Sequence, residues 1–262
     1  MSKKDEKTAK DKKSKDEKSK GGIGELFSTV LWALGIAFVL RTFIFQPFHI
    51  PTGSMAPGLM PGDYIITSKY SVGYGKYAAT PFPFPVNEGR LFEKEPKRGD
   101  VIVFKPEGSK ITFIKRVVGL PGDQVQMKEG RLYLNGEPVP VVMSGKYDYM
   151  NRHKKTENGD LITETFPDGR THDVLDTQKD NPLDQTKVQT VPSGYYFLMG
   201  DNRDHSLDSR VSSSKGGAGM VPKENIIGRA EIVLLSVNED FVLFKPWTWL
   251  NVRKDRWFKD IR

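Results

Sequence analysis

The sequence contains no cysteine among its 262 residues, which excludes a thiol nucleophile, thiolate metal sites and any disulfide framework. Histidine is scarce too. His49, His153, His172 and His205 lack ligand spacing such as two on one helical turn, so no protein-bound metal is expected. The body of the chain also lacks a strong excess of one charge. Lys and Arg number 40 against 33 Asp and Glu, a net +7, but residues 1–20 alone hold nine Lys against five acidic side chains, which leaves +3 elsewhere. A nucleic-acid surface needs its excess clustered on folded sequence, so no nucleic-acid partner is expected.

What is present falls into three stretches. Residues 1–22 form a Lys/Asp/Glu/Ser tail that is too polar to bury anything and reads as disordered. An apolar run follows, Ile23 to Phe45, interrupted only by Glu25 and Arg41 among charged residues, and long enough to cross a bilayer if Arg41 snorkels to the interface. No small-x-small cleavage site follows it, so it reads as a retained transmembrane anchor, and no second span appears. Lysines before the span place the tail in the cytoplasm and residues 46–262 outside it.

After Gln46-Pro47 the text becomes strand-like, with short β-branched and aromatic runs set between turn residues. Candidate strands are Tyr64–Lys69, Val101–Lys105, Ile111–Gly119, Val125–Lys128, Arg131–Leu134, Tyr195–Met199, Ala230–Val237 and Phe241–Phe244. Pro61-Gly62-Asp63, Arg98-Gly99-Asp100 and Pro121-Gly122-Asp123 are turns in which Gly supplies a positive φ, and Asn135-Gly136 is a two-residue hairpin signal. Pro81, Pro83 and Pro85, alternating with Phe82 and Phe84, cannot donate to a ladder and predict an extended loop. Residues 141–190 are polar and read as an insertion or small accessory subdomain, away from substrate chemistry. The expected fold is mainly β: an antiparallel sheet domain with a small accessory insertion, preceded by one membrane helix.

Three segments carry more than packing. Ile50-Pro51-Thr52-Gly53-Ser54-Met55-Ala56-Pro57 offers a turn hydroxyl. In the strand from Ile111, Lys115 shares a face with Phe113 and Val117, where an ammonium is poorly hydrated. Lowering its pKa from about 10.4 towards 8 would cost on the order of 3 kcal/mol and yield a competent general base. Both faces of that strand are apolar, so periodicity does not choose between Lys115 and Arg116. The run Gly200 to Arg210 packs carboxylates, guanidinium groups and hydroxyls into a strand end, where they can interlock.

Together Pro51-Thr52-Gly53-Ser54-Met55-x-Pro57, Arg98 to Phe104, Lys115 to Asp123 and Gly200 to Arg210 resemble the ordered signature boxes of bacterial type I signal peptidases. The resemblance covers Phe45 to Ala230 apart from residues 141–190. It implies a serine endopeptidase in the bacterial inner membrane that removes signal peptides from exported preproteins. By position Ser54 resembles the nucleophile and Lys115 the general base, with Thr52 joining the Ser54 N–H in the oxyanion hole. Ser206 resembles the hydroxyl that orients the lysine amine, and Asp208 and Arg210 the ion pair behind it. This scheme calls for no metal and no cofactor, and its partners are signal peptides and membrane lipid. After Arg210 the Ser/Gly-rich link Val211 to Gly217 is longer than the family pattern.

Competing readings are a Ser-His-Asp arrangement using His205 or His49 with Ser54, an anchored β domain that only binds a partner, and a related peptidase devoted to one substrate. At the C-terminus, Trp247, Leu250, Trp257, Phe258 and Ile261 form a stripe if the segment is helical, which would suit a membrane interface.

Overall fold

The computed structural model describes residues 24–78, 86, 89–150, 155–238, 245 and 252–261. The tail, the Pro81 to Pro85 loop, the Phe241–Phe244 strand, His153, Trp247, Leu250 and Trp249 lie outside these residues. Two compact units divide the chain, Met1–Thr42 and Phe43–Arg262. Helix α1, Gly24–Ile44, is 21 residues long and apolar, and it leaves Leu26, Phe27, Leu31, Trp32 and Leu34 exposed. Such a surface is unfavourable in water and suited to lipid.

In the second unit the strands begin with β1 (Phe45–His49), β2 (Asp63–Ser68), β3 (Val101–Phe104) and β4 (Phe113–Gly119). Next come β5 (Gln124–Lys128), β6 (Arg131–Leu134), β7 (Glu137–Pro138), β8 (Val141–Met150), β9 (Thr156–Thr165) and β10 (Thr171–Asp176). The last are β11 (Gln189–Thr190), β12 (Tyr195–Met199), β13 (Val221–Pro222), β14 (Ile226–Ser236) and β15 (Lys259–Asp260). All pairings between them are antiparallel. The main sheet runs β1-β2-β14-β3-β4-β12-β13, with β15 on β14; β11-β5-β6-β7 and β10-β9-β8 form two smaller sheets.

The turns follow the sequence chemistry. Gly62, Gly99 and Gly122 sit at φ 91°, 88° and 92°. In each turn the Asp that follows the Gly reaches back with its carboxylate, accepting from the N–H of Met60, Lys97 or Leu120 at 2.7–2.8 Å. Asn135 and Gly136 both have positive φ, as the β6–β7 hairpin requires.

Val101–Phe104 is buried on both faces, as an uninterrupted apolar run in a central strand predicts. Val101 and Val103 join Ile50, Met55, Leu59 and Val233 on one side of the sheet. Ile102 and Phe104 join Val117, Leu198 and Ile226 on the other.

Three features depart from the sequence reading. Strand β14 starts at Ile226, four residues before the predicted Ala230, and runs through Gly228. A Cβ at Gly228 would lie 2.7 Å from the Ser68 carbonyl, so the glycine permits close approach of β2 rather than ending the strand. The insertion contains a meander, β8-β9-β10, which its polar composition hid because among its described hydrophobic residues only Tyr149, Phe166, Val174 and Leu175 are buried. The C-terminal segment is not a helix among the described residues. Lys254–Arg256 form one 3₁₀ turn, after which β15 pairs with β14, Arg256 is buried on Asp63 and Ile261 packs on the core. Trp257 and Phe258 remain exposed.

Candidate active site

Ser54 lies on the turn between β1 and β2. Met55 and Ala56, which follow it, are fully buried, and burial of Met55 alone is worth about 1.5–3 kcal/mol, so the turn is pinned from beneath. The turn closes on itself through Ala56 N–H to Gly53 O at 3.0 Å and Leu59 N–H to Met55 O at 2.8 Å. Lys115 comes from β4, in register with Ile102 of β3.

Across the gap between them, Lys115 Nζ donates to Ser54 Oγ at 2.7 Å and to the Ile114 carbonyl at 2.8 Å. The lysine is 4% exposed, and its ammonium lies 5.8 Å from the centre of the Phe113 ring. Burial lowers its pKa to about 8, opposed by the negative charge of Asp208 and Asp201 and assisted by Arg210. The structure thus resolves what periodicity left open. Arg116 points to the opposite face and forms a buried two-pronged pair with Asp201 at 2.8 and 2.7 Å.

The loop after β12 completes the site. Arg210 grips Asp208 at 2.9 and 2.8 Å, both side chains being buried. Burial tends to raise the Asp208 pKa, but Arg210 and the backbone N–H groups of Gly200 and Arg210 outweigh it and hold the carboxyl below its ordinary value. Ser206 is buried, yet its hydroxyl makes no hydrogen bond, so it does not hold the lysine amine here; the Ile114 carbonyl takes that contact. Among the described residues, neither the Thr52 hydroxyl nor the Ser54 N–H has an internal hydrogen-bond partner. Thr52 and Ser54 both belong to the lining of one cleft.

That cleft has a volume of about 510 Å³ and is walled by Phe48, Ile50, Val103, Phe113, Ile114 and Leu207, with Ser54 and the buried Lys115 also in its lining. His49 and His205 reach its lining but not Ser54. The His49 ring tilts against Tyr64 at 4.8 Å, and His205 bonds Glu157 at 2.8 Å and Gln178 at 2.9 Å. Sequence reasoning missed Tyr149, Glu157 and Leu175, which border this site from the meander; nothing in a polar stretch of that length marks them.

A serine hydroxyl held against a buried amine that is partly neutral near pH 8 defines a serine hydrolase that can work without histidine. The model of the family "Signal peptidase, peptidase S26" matches residues 23–235. Signal peptidase I of Rickettsia typhi is 35% identical over 258 residues, 91% of this chain and 94% of that protein. That of Rickettsia canadensis is 36% identical over 245 residues, 86% of this chain and 89% of that protein. A crystal structure of a signal peptidase I from Enterococcus faecalis, 31% identical, covers 52% of this chain and 97% of that one with a TM-score of 0.30. The chain belongs to the signal peptidase family S26. It is a membrane-anchored serine peptidase that cleaves signal peptides, and the apolar helix α1 fits the anchor.

Proposed function

We propose that Ser54 is the nucleophile and Lys115 its general base. The observation that carries this reading is the 2.7 Å contact between Lys115 Nζ and Ser54 Oγ in a buried setting that lowers the lysine pKa to about 8. Neutral Lys115 takes the Ser54 proton while Oγ bonds the scissile carbonyl carbon. The carbonyl oxygen gains the negative charge between the Thr52 hydroxyl and the Ser54 N–H. As the C–N bond breaks, the lysine returns its proton to the leaving amine, leaving an ester on Ser54. Water, deprotonated by the same amine, hydrolyses that ester. Asp208 and Arg210 fix the loop that carries Ser206 against this pair.

The apolar wall of the cleft favours small uncharged side chains before the cut, the kind the signal-peptide resemblance implies. The lysines ahead of α1 support a cytoplasmic N-terminus, with residues 46–262 on the outer side of the bacterial inner membrane. We assign residues 1–22 to the tail, 23–45 to the anchor and 46–262 to the catalytic domain with its insertion at 141–190. Lipid is the partner of the anchor, and the near-neutral body supports no nucleic-acid role.

The test is cleavage of a model preprotein by the detergent-solubilised protein and by its Ser54→Ala, Lys115→Ala and His205→Ala variants. Loss in the first two with activity remaining in the third is expected. Activity surviving in Lys115→Ala would falsify the assignment.

A further inference from the structure

The meander is joined to the catalytic loop residue by residue. Leu175 of β10 holds the backbone on both sides of Asn202, through Leu175 N–H to Asp201 O at 2.8 Å and Arg203 N–H to Leu175 O at 3.0 Å. Glu164 of β9 binds the Arg203 guanidinium at 2.8 Å, both groups being buried. The N–H groups of Thr177 and Gln178 cap Asp204 at 2.7 and 2.9 Å. Glu157 of β9 takes the His205 contact. Five consecutive residues that lead into Ser206 are thus set by the insertion.

One side chain carries that grip to the nucleophile. Tyr149 of β8 is 5% exposed and packs with Ala56, Met60 and Leu175. A Cβ built on Gly53 would lie 2.5 Å from the Tyr149 Oη, so the ring lies against the backbone beside Ser54. Its hydroxyl donates to Glu157 at 2.7 Å and accepts from Asn202 Nδ2 at 3.0 Å. The same Asn202 amide donates to Gly53 O, and the Asn202 N–H donates to Ser54 O, each at 3.2 Å. The Asn202 side-chain amide thus bridges the tyrosine hydroxyl and the Gly53 carbonyl, and the shorter of those two bonds is the one to Tyr149, whose hydroxyl is itself anchored on Glu157.

We propose that Tyr149 is a positioning residue for the peptidase reaction: from the accessory meander its hydroxyl orients Asn202, which holds the Gly53-Ser54 turn against Lys115. This deepens the reading of Ser54 as nucleophile and rests on it. The insertion therefore serves catalysis without touching substrate. A displacement of Ser54 Oγ by a fraction of an ångström weakens both the bond to Lys115 and the alignment for attack, while the cleft walls that bind the substrate stay in place.

The experiment uses the full chain in detergent and a peptide spanning a signal-peptide cleavage site, comparing wild type, Tyr149→Phe and Ser54→Ala. Phenylalanine keeps the ring packing and removes only the hydroxyl. Tyr149→Phe is expected to lower kcat about five- to tenfold with KM within about twofold and an unchanged pH midpoint, at a melting temperature near that of wild type. Wild-type kcat in Tyr149→Phe overturns the proposal, as does a loss confined to KM. A kcat loss that disappears at lower temperature, where a destabilised variant is fully folded, also overturns it, since that behaviour marks a purely structural residue. Ser54→Ala separates the two claims. Activity in that variant sinks the nucleophile assignment, whereas its inactivity beside unimpaired Tyr149→Phe sinks the tyrosine's role alone.

Discussion

Lys115 Nζ and Ser54 Oγ lie 2.7 Å apart although 61 residues separate them in the chain. While the lysine is charged it donates in this contact, and the serine proton cannot be taken. Deprotonation frees the nitrogen lone pair to accept that proton.

The pH dependence of cleavage follows from the lowered lysine pKa. With the value at about 8, log kcat/KM should climb with unit slope in mild acid and level off above about pH 8. An inflection near pH 10.4, where an exposed lysine titrates, would show that Lys115 is not desolvated in solution.

Burying this lysine also has a stability consequence with a definite sign. Its folded-state pKa lies below the unfolded value, so the charged form is penalised in the native state by roughly 3 kcal/mol. The penalty is present in full below about pH 8 and fades as pH rises towards 10.5, where the unfolded chain alone still holds the proton. Lys115→Met should accordingly be inactive yet more stable than wild type at pH 7, with the difference shrinking by pH 10. Urea unfolding at the two pH values measures it, and a wild type more stable than the variant at pH 7 would refute it.

Arg116 gives the opposite result to its neighbour. Arg116→Met strands the Asp201 carboxylate in a buried site and should cost about 3–5 kcal/mol. The double variant Arg116→Met with Asp201→Asn should recover a large part of that loss. Equal destabilisation by the single and double variants would contradict a pairwise interaction.

Gly200 is a test of close packing at the site. A Cβ there would collide with the Ser206 hydroxyl and sit 2.5 Å from the Ser54 carbonyl oxygen. Gly200→Ala should push the two loops apart, lowering stability by about 1–3 kcal/mol and kcat by on the order of a hundredfold. Calorimetry with steady-state kinetics checks both, and wild-type kcat in a folded variant would rule out this contact geometry.

Short-range chemistry made much of the chain legible from sequence. Each Gly-Asp turn fixes its own backbone through a positive φ and a carboxylate that caps three residues back, both set within four residues. The apolar run Val101–Phe104 states a strand buried on both faces, because side chains alternate by necessity. The anchor helix is equally local, since length and composition alone suit Gly24–Ile44 to lipid. Tertiary structure decided the rest. On a strand with two apolar faces, only the positions of Ser54 and Asp201 determine that Lys115 faces the cleft and Arg116 the interior. Tyr149 has no signal in its own polar neighbourhood, because its meaning comes from Gly53 and Asn202, brought against it across the sheets. Desolvation has the same origin: the chain supplies a lysine, but the atoms packed around it by distant segments lower its pKa.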